Sequence, residues 1–260
     1  MKKLLLLLAS FTLATASLAQ DGFTSLFNGK DLTGWDGDPK LWKVEDGVVI
    51  GTCSGPESPV LNSFLIWRGG KVADFELHAT MRVIGDNNSG IQYRSREMPE
   101  VAPWVITGYQ CDIHPATEHL GATYEERGRS VLGSNGKNVM TDPDGALWLL
   151  SEHDPVKADI SQWNDYTIIA RGNHLIHKIN GQVTSEHIDH DEKRRALEGL
   201  LAIQLHRGNA NTVQIKDLRL KPITDAKLTA FALPASAKKI GRPRVIHPQG
   251  TGPVVVPKRK

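Results

Sequence analysis

Between residues 108 and 114 the chain reads Gly-Tyr-Gln-Cys-Asp-Ile-His, and this strict alternation most narrows what such a chain can fold into. A period of two is that of a β-strand, so Tyr109, Cys111 and Ile113 share one face while Gln110, Asp112 and His114 share the other. The split recurs in three further stretches. Phe75, Leu77, Ala79 and Met81 oppose Glu76, His78, Thr80 and Arg82; Ile91 and Tyr93 oppose Gln92 and Arg94; Leu201, Ile203 and Leu205 oppose Gln204 and His206. If these strands share a sheet, their polar faces form one floor. A half-solvated sheet is polar outside for no further reason. A floor that collects Arg, Gln, Asp and His instead of Lys, Glu, Ser and Thr offers convergent hydrogen bonds suited to a polyhydroxylated ligand.

The punctuation between such stretches is that of hairpins. Asp46-Gly47 and Asn180-Gly181 are dipeptides that close two-residue turns, and residues 86–90 (Asp-Asn-Asn-Ser-Gly) predict a hairpin between the strands at 74–84 and 90–96. Gly133, Gly136, Pro143, Gly145 and Pro155 interrupt any period from 127 to 162, which reads as a long functional loop. Within it Trp148 either packs on the body or stands as a platform for an apolar ligand face, and Asp142-Pro143-Asp144-Gly145 reads as a turn. Helix signals are confined to one turn at 191–198. Many short strands, hairpin turns and no repeat of 20–50 residues predict an all-β fold, a two-sheet antiparallel jelly-roll sandwich.

The ends differ from the body. Lys2 and Lys3, the run Leu4 to Leu8 and the small-x-small site Ser17-Leu18-Ala19 read as a signal peptide over residues 1–19, too short and too interrupted for a membrane span. The expected location is therefore exported, periplasmic or extracellular, with residues 20–221 as one domain. The formal net charge of +2 conceals an acidic body, because much of the basic charge sits at residues 2–3 and 221–260. Nucleic acid is thus not the expected partner of the body. The tail, 222–260, has no amphipathic period and carries no acid beyond Asp225, and it is expected to be disordered. Cys53 and Cys111 are the two cysteines; export permits a disulfide, but Cys111 on an apolar strand face fits a small buried hydrophobe.

Longer motifs carry a resemblance. Residues 26–35 (Leu-Phe-Asn-Gly-Lys-Asp-Leu-Thr-Gly-Trp), Asp74-Phe75-Glu76-Leu77, residues 88–94 (Asn-Ser-Gly-Ile-Gln-Tyr-Arg), Gly108 to Ile113, Gly121 to Arg127, Trp163-Asn164-Asp165-Tyr166, Ile179-Asn180-Gly181 and Ile203 to Gly208 together resemble the 3-keto-disaccharide hydrolase domain family over nearly all of 22–221. The resemblance implies a concanavalin A-like sandwich. It also implies a carbohydrate small-molecule substrate, a glycoside already oxidised to a ketone at C3. A Glu is frequent in that family where Gln110 stands, so a base at 110 is not implied here.

A ketone at C3 acidifies the C2 hydrogen, so cleavage by elimination and water addition needs a base, an acid and a group that polarises the ketone. Asp112 is the candidate base, tuned by Gln110, Arg94 and His206; if Arg94 merely pairs with Asp112 across strands, the base passes to Glu125 or Glu126. His206 is a candidate proton donor, a ligand with Asp112 and His114 for a divalent metal ion, or a structural residue. Glu76, Gln92, Gln110, Tyr124 and Gln204, with Arg94, are candidate substrate-binding residues. Two rivals remain. A non-catalytic carbohydrate-binding module needs the floor but no base, while a retaining endoglycosidase needs Glu-x-Asp-x-x-Glu, whose two Glu positions here hold Gln110 and Pro115.

Overall fold

The computed structural model describes residues 22–54 and 58–245. The signal-peptide reading of residues 1–19 and the end of the tail, 246–260, lie outside the described residues. The strands are β1 (Thr24–Ser25), β2 (Trp35–Asp36), β3 (Trp42–Glu45), β4 (Val48–Cys53), β5 (Ser63–Trp67), β6 (Phe75–Gly85), β7 (Ser89–Glu97), β8 (Ile106–Ile113), β9 (Thr123–Glu126), β10 (Ser130–Gly133), β11 (Lys137–Thr141), β12 (Leu147–Glu152), β13 (Asn164–Arg171), β14 (His174–Ile179), β15 (Gln182–Asp189), β16 (Leu200–Leu205), β17 (Asn211–Pro222) and β18 (Lys238–Gly241). Among the described residues there is no α-helix, and hence none long and apolar enough to cross a membrane.

Two sheets stack as the expected sandwich. The eleven-stranded sheet runs β18-β12-β11-β15-β14-β13-β6-β17-β4-β3 with β1 beside β17, and the seven-stranded sheet runs β10-β9-β8-β7-β16-β5-β2. Pairing is antiparallel except between β11 and β15. The turns follow from their residues: Asp46 and Gly47 have φ of 51° and 74°, Asn180 and Gly181 of 50° and 79°, the left-handed pair that matches strand twist in a two-residue hairpin.

The alternating apolar faces meet between the sheets. Phe75, Leu77, Ala79, Met81 and Val83 of β6 share one core with Tyr109, Cys111 and Ile113 of β8 and Leu201, Ile203 and Leu205 of β16. Each such fully buried Leu, Ile or Phe contributes roughly 1.5–3 kcal/mol. The ring of Tyr93 stacks on that of Tyr109 with centroids 5.7 Å apart, and its hydroxyl meets His177 Nε2 of the opposite sheet at 2.8 Å. Cys53 and Cys111 are buried as separate thiols, and burial pushes the Cys111 thiol well above its ordinary range.

Three expectations are corrected. Strands β6 and β7 do not form a hairpin: β6 pairs with β13 and β17, β7 with β8 and β16, so residues 86–88 turn a corner from one sheet to the other. The stretch from 127 to 162 is not one long loop but contains β10, β11 and β12, its glycines and prolines being the connectors. Trp148 is thereby fixed in β12, where its Nε1 donates to Asp142 Oδ2 at 2.8 Å and Lys239 lies 5.5 Å over its ring.

The third correction concerns the tail, whose described part straps the sandwich. Ile223 N donates to Asp74 O, Thr229 N to Asn173 Oδ1, Phe231 packs edge-on against His190, and β18 pairs with β12. No period announces these contacts because they are backbone pairings and single side chains. Ending the chain at Pro222 is therefore expected to lower Tm by roughly 3–8 °C in differential scanning calorimetry, whereas an unstructured tail would leave it unchanged.

Candidate active site

The outer face of the seven-stranded sheet carries two patches. Phe64, Ile66, Ile106 and Ala202, with Trp104 and Leu200, form a small apolar cluster at one side. At the other, Gln110 and Asp112 of β8, Tyr124 and Glu126 of β9 and Gln204 of β16 floor a cavity of about 580 Å³. Strand pairing sets the rows: Gln110 lies opposite Tyr124 on one side and Gln92 on the other, and Asp112 lies opposite Gly90. Glycine at 90 is required because a Cβ there would lie 2.4 Å from the Gln110 side chain. Asn62, Asn88, His114, His119, Arg127, His206 and Arg207 rise from loops as walls.

The walls are fastened by amides. Asn87 Nδ2 donates to the carbonyls of Arg207 at 3.2 Å and Asn209 at 2.7 Å, fixing the loop after β16. Asn62 accepts from Arg207 N at 3.1 Å and donates to Glu126 Oε1 at 3.2 Å, tying that loop to β9. Gln110 Nε2 donates to Asp112 Oδ1, and the Gln110 amide is itself backed by the Gln92 amide at 2.8 Å. One Asp112 oxygen is thus positioned by the floor.

Both acids of the floor are buried, Asp112 and Glu126 each being 8% exposed. Burial pushes Asp112 up to about 7 despite the Gln110 hydrogen bond, and the nearby charge of Glu126 adds to the rise. Burial likewise pushes Glu126 up to about 7, against the Asn62 hydrogen bond and the charges of Arg127 and Arg207. Burial, then the charges of Glu126 and Asp112, drives Tyr124 above the ordinary phenol range, so it stays a hydroxyl donor. His206 is lowered, chiefly by burial. Its Nδ1 lies 2.7 Å from the Arg207 carbonyl oxygen, which can only accept, so Nδ1 carries the hydrogen and the neutral ring turns a bare Nε2 outward. His114 is also lowered, by burial and then by His119 and His206.

The anticipated residues divide. Asp112, Glu126, His206, Gln110, Tyr124 and Gln204 line the cavity, as does His114. Gln92 does not; it is fully buried behind Gln110 and supports it. Glu76 is on the outer face of the other sheet, 2.6 Å from His78 Nε2, because β6 belongs there. Arg94 is not across from Asp112. A bulge after Tyr93, with φ of 47° at Arg94, breaks the alternation and sends the guanidinium to Asp74 and to the carbonyls of Ala73 and Gly172. Glu125 points to the opposite side of β9 from Glu126, where Arg129 Nε donates to it at 2.6 Å. Sequence reasoning passed over Arg127, Asn62 and Arg207; for Arg127 the only signal was its place after Glu126. Asp112, His114 and His206 line one cavity, yet among the described residues no three His, Cys, Asp or Glu side chains group as metal ligands.

Solved structures share this architecture. A candidate glycosyl hydrolase from Parabacteroides distasonis ATCC 8503 aligns with a TM-score of 0.55 at 16% identity, covering 77% of this chain and 99% of its own. A second from the same organism gives 0.54 at 21% identity over 78% and 95%. A Bacillus subtilis protein of unknown function with a galectin-like fold gives 0.50 at 10% identity over 73% and 90%. At these identities the likeness is one of fold. No curated protein matches the chain. A family model matches residues 22–221, from just before β1 to the last residue but one of β17, and so includes every strand that builds the cavity. The chain belongs to the 3-keto-alpha-glucoside-1,2-lyase-like domain family.

Proposed function

We propose that this cavity cleaves 3-keto-glycosides by proton abstraction at C2 and elimination across C1 and C2, followed by water addition, with Asp112 as base and Glu126 as acid. The observation that carries the reading is the pair itself: two buried carboxyls in one cavity, both pushed to about 7. At neutral pH such a pair holds a base and a proton donor together. His206, neutral with Nδ1 engaged, has no spare proton for a leaving group and instead offers an acceptor to a sugar hydroxyl or water. Asp112 takes the C2 proton, and the electron pair forms an enediolate with its charge on the C3 oxygen. Collapse of the enediolate regenerates the ketone, forms the C1–C2 double bond and expels the glycosidic oxygen, which takes the Glu126 proton. Water then adds at C1 as C2 regains a proton. Gln110, Tyr124 and Gln204 bind the remaining hydroxyls; Gln204 Oε1 is buried without a protein partner among the described residues and suits a ligand O–H.

Purified protein is expected to turn over 3-keto-glucosides and leave their unoxidised parents intact, since only the ketone acidifies C2. Product release followed by NMR, with and without chelator, tests both this and the divalent-cation proposal for Asp112, His114 and His206. Binding of the keto-glycoside without turnover would make the protein a carbohydrate-binding module instead. The leader-like start of the sequence supports action outside the cytoplasm, testable by fractionation.

A further inference from the structure

Arginine is costly to bury, and the two buried arginines among the described residues, Arg94 and Arg129, are both paired. Arg94 donates to Asp74 and to three backbone carbonyls, and Arg129 is enclosed by Glu125, Asp189 and Asp191. Arg127 is different. Its Nε and Nη2 are buried in the cavity wall without a hydrogen-bond partner among the described residues. Those two nitrogens are the same edge of the guanidinium, the side-on fork that takes two oxygens at once. The backbone at Arg127 is left-handed, with φ of 54°, at the turn that brings the chain from β9 toward β10.

We infer that Arg127 is the electrophile of this site, its Nε–Nη2 edge grasping the C3 oxygen and the neighbouring C2 oxygen of the substrate as the enediolate forms. The inference rests on the proposed keto-glycoside chemistry and deepens it. Vicinal oxygens of a cis-enediolate lie in one plane and fit a planar fork, whereas a single hydroxyl would leave one N–H unpaired. Charge grows on the C3 oxygen only as the C2 proton departs. A fixed cation there stabilises the transition state more than the bound ketone, so its removal lowers kcat more than it raises KM.

The test uses Arg127→Gly, which accepts a positive φ and so keeps the turn, checked by an unchanged or raised Tm. Turnover of a 3-keto-glucoside is expected to fall on the order of 100-fold in kcat with KM changed by less than about 5-fold. Guanidinium at tens of millimolar is expected to restore at least about 10-fold of that loss in the variant and nothing in the wild type. Exchange of the C2 hydrogen for deuterium in a 3-keto-1,5-anhydroglucitol, which has no leaving group, should fall in parallel. An active wild type with an equally active Arg127→Gly, a change confined to KM, or a loss that guanidinium does not restore overturns the inference alone. A wild type that neither exchanges nor cleaves any 3-keto-glycoside overturns the proposed function, and this inference with it.

Discussion

Asp112→Asn is expected to cut turnover of a 3-keto-glucoside by about 100-fold or more and, at pH 8, to make the protein more stable. The first effect follows from removing the base while keeping the shape and the Gln110 hydrogen bond. The second follows from the direction of the shift. A carboxyl pushed from the ordinary 3.8 to about 7 on folding holds its proton more firmly in the folded state, so wild-type stability falls as pH rises through that window. Above pH 7 the full cost of ionising a buried group is present, on the order of 4 kcal/mol, and the neutral amide does not incur it. His177 and His187, each lowered by burial to about 4, slope the other way between about 4 and 6.5, because neutral buried imidazoles lose stability as pH falls. These slopes oppose one another in the raw wild-type curve, so the informative quantity is the difference in Tm between variant and wild type. That difference should be near zero at pH 4 and grow to several degrees by pH 8. If Asp112 were a structural partner, the variant would melt lower and keep its activity. For the wild type, kcat/KM should follow a bell centred near pH 7, because the Asp112–Glu126 pair works with one proton between them.

How much of this was visible in the residues depends on the range of the interaction that decided it. Alternation is local, and it correctly separated Gln110, Asp112 and Gln204 from the core positions between them. Applied to β9 it already implies that Glu125 and Glu126 face opposite ways, so only one of them can serve the site. Sheet membership is not local: β6 alternates as cleanly as β8, yet its polar face is on the far side of the sandwich, which removes Glu76. The bulge at Arg94 was hidden for the same reason, since the guanidinium is held by residues 73, 74 and 172, each distant in sequence from Arg94. Between 127 and 162 the strands are four to six residues long, too short for a period to rise above their Gly and Pro connectors. Arg127 is the extreme case. What marks it is the absence of a partner, and no pattern in a sequence records which groups a fold leaves open.

Arg129→Met is expected to be the most destabilising of these substitutions, costing roughly 3–5 kcal/mol and lowering Tm by about 10 °C or more. Arg129 and Asp189 are each 1% exposed, with Nη2 donating to Oδ2 at 2.7 Å and Nη1 to Oδ1 at 3.2 Å; Glu125, Tyr109 and, 3.8 Å from Nη1, Asp191 complete the cluster. Burial alone would raise the Asp189 carboxyl, but the charge and hydrogen bonds of Arg129 outweigh it and hold the group below 3.8. A lowered carboxyl contributes stability above its unfolded value and loses it as pH falls through the folded one. Without Arg129 the sign reverses, and Asp189 becomes a buried acid with no counter-charge. The Tm gap between wild type and variant should accordingly widen as pH rises from 3 to 7, with the sign opposite to that of Asp112→Asn, the variant here being the less stable. Adding Asp189→Asn should recover a large part of the loss, because the stranded charge disappears with it. Failure of the second substitution to recover stability would mean that the loss comes from packing around Arg129 and not from charge. Arg129 holds Glu125 on the far side of β9 from Glu126. The proposed chemistry therefore predicts that Arg129→Met, assayed below its own Tm, keeps the wild-type pH optimum while Glu126→Gln loses the bell.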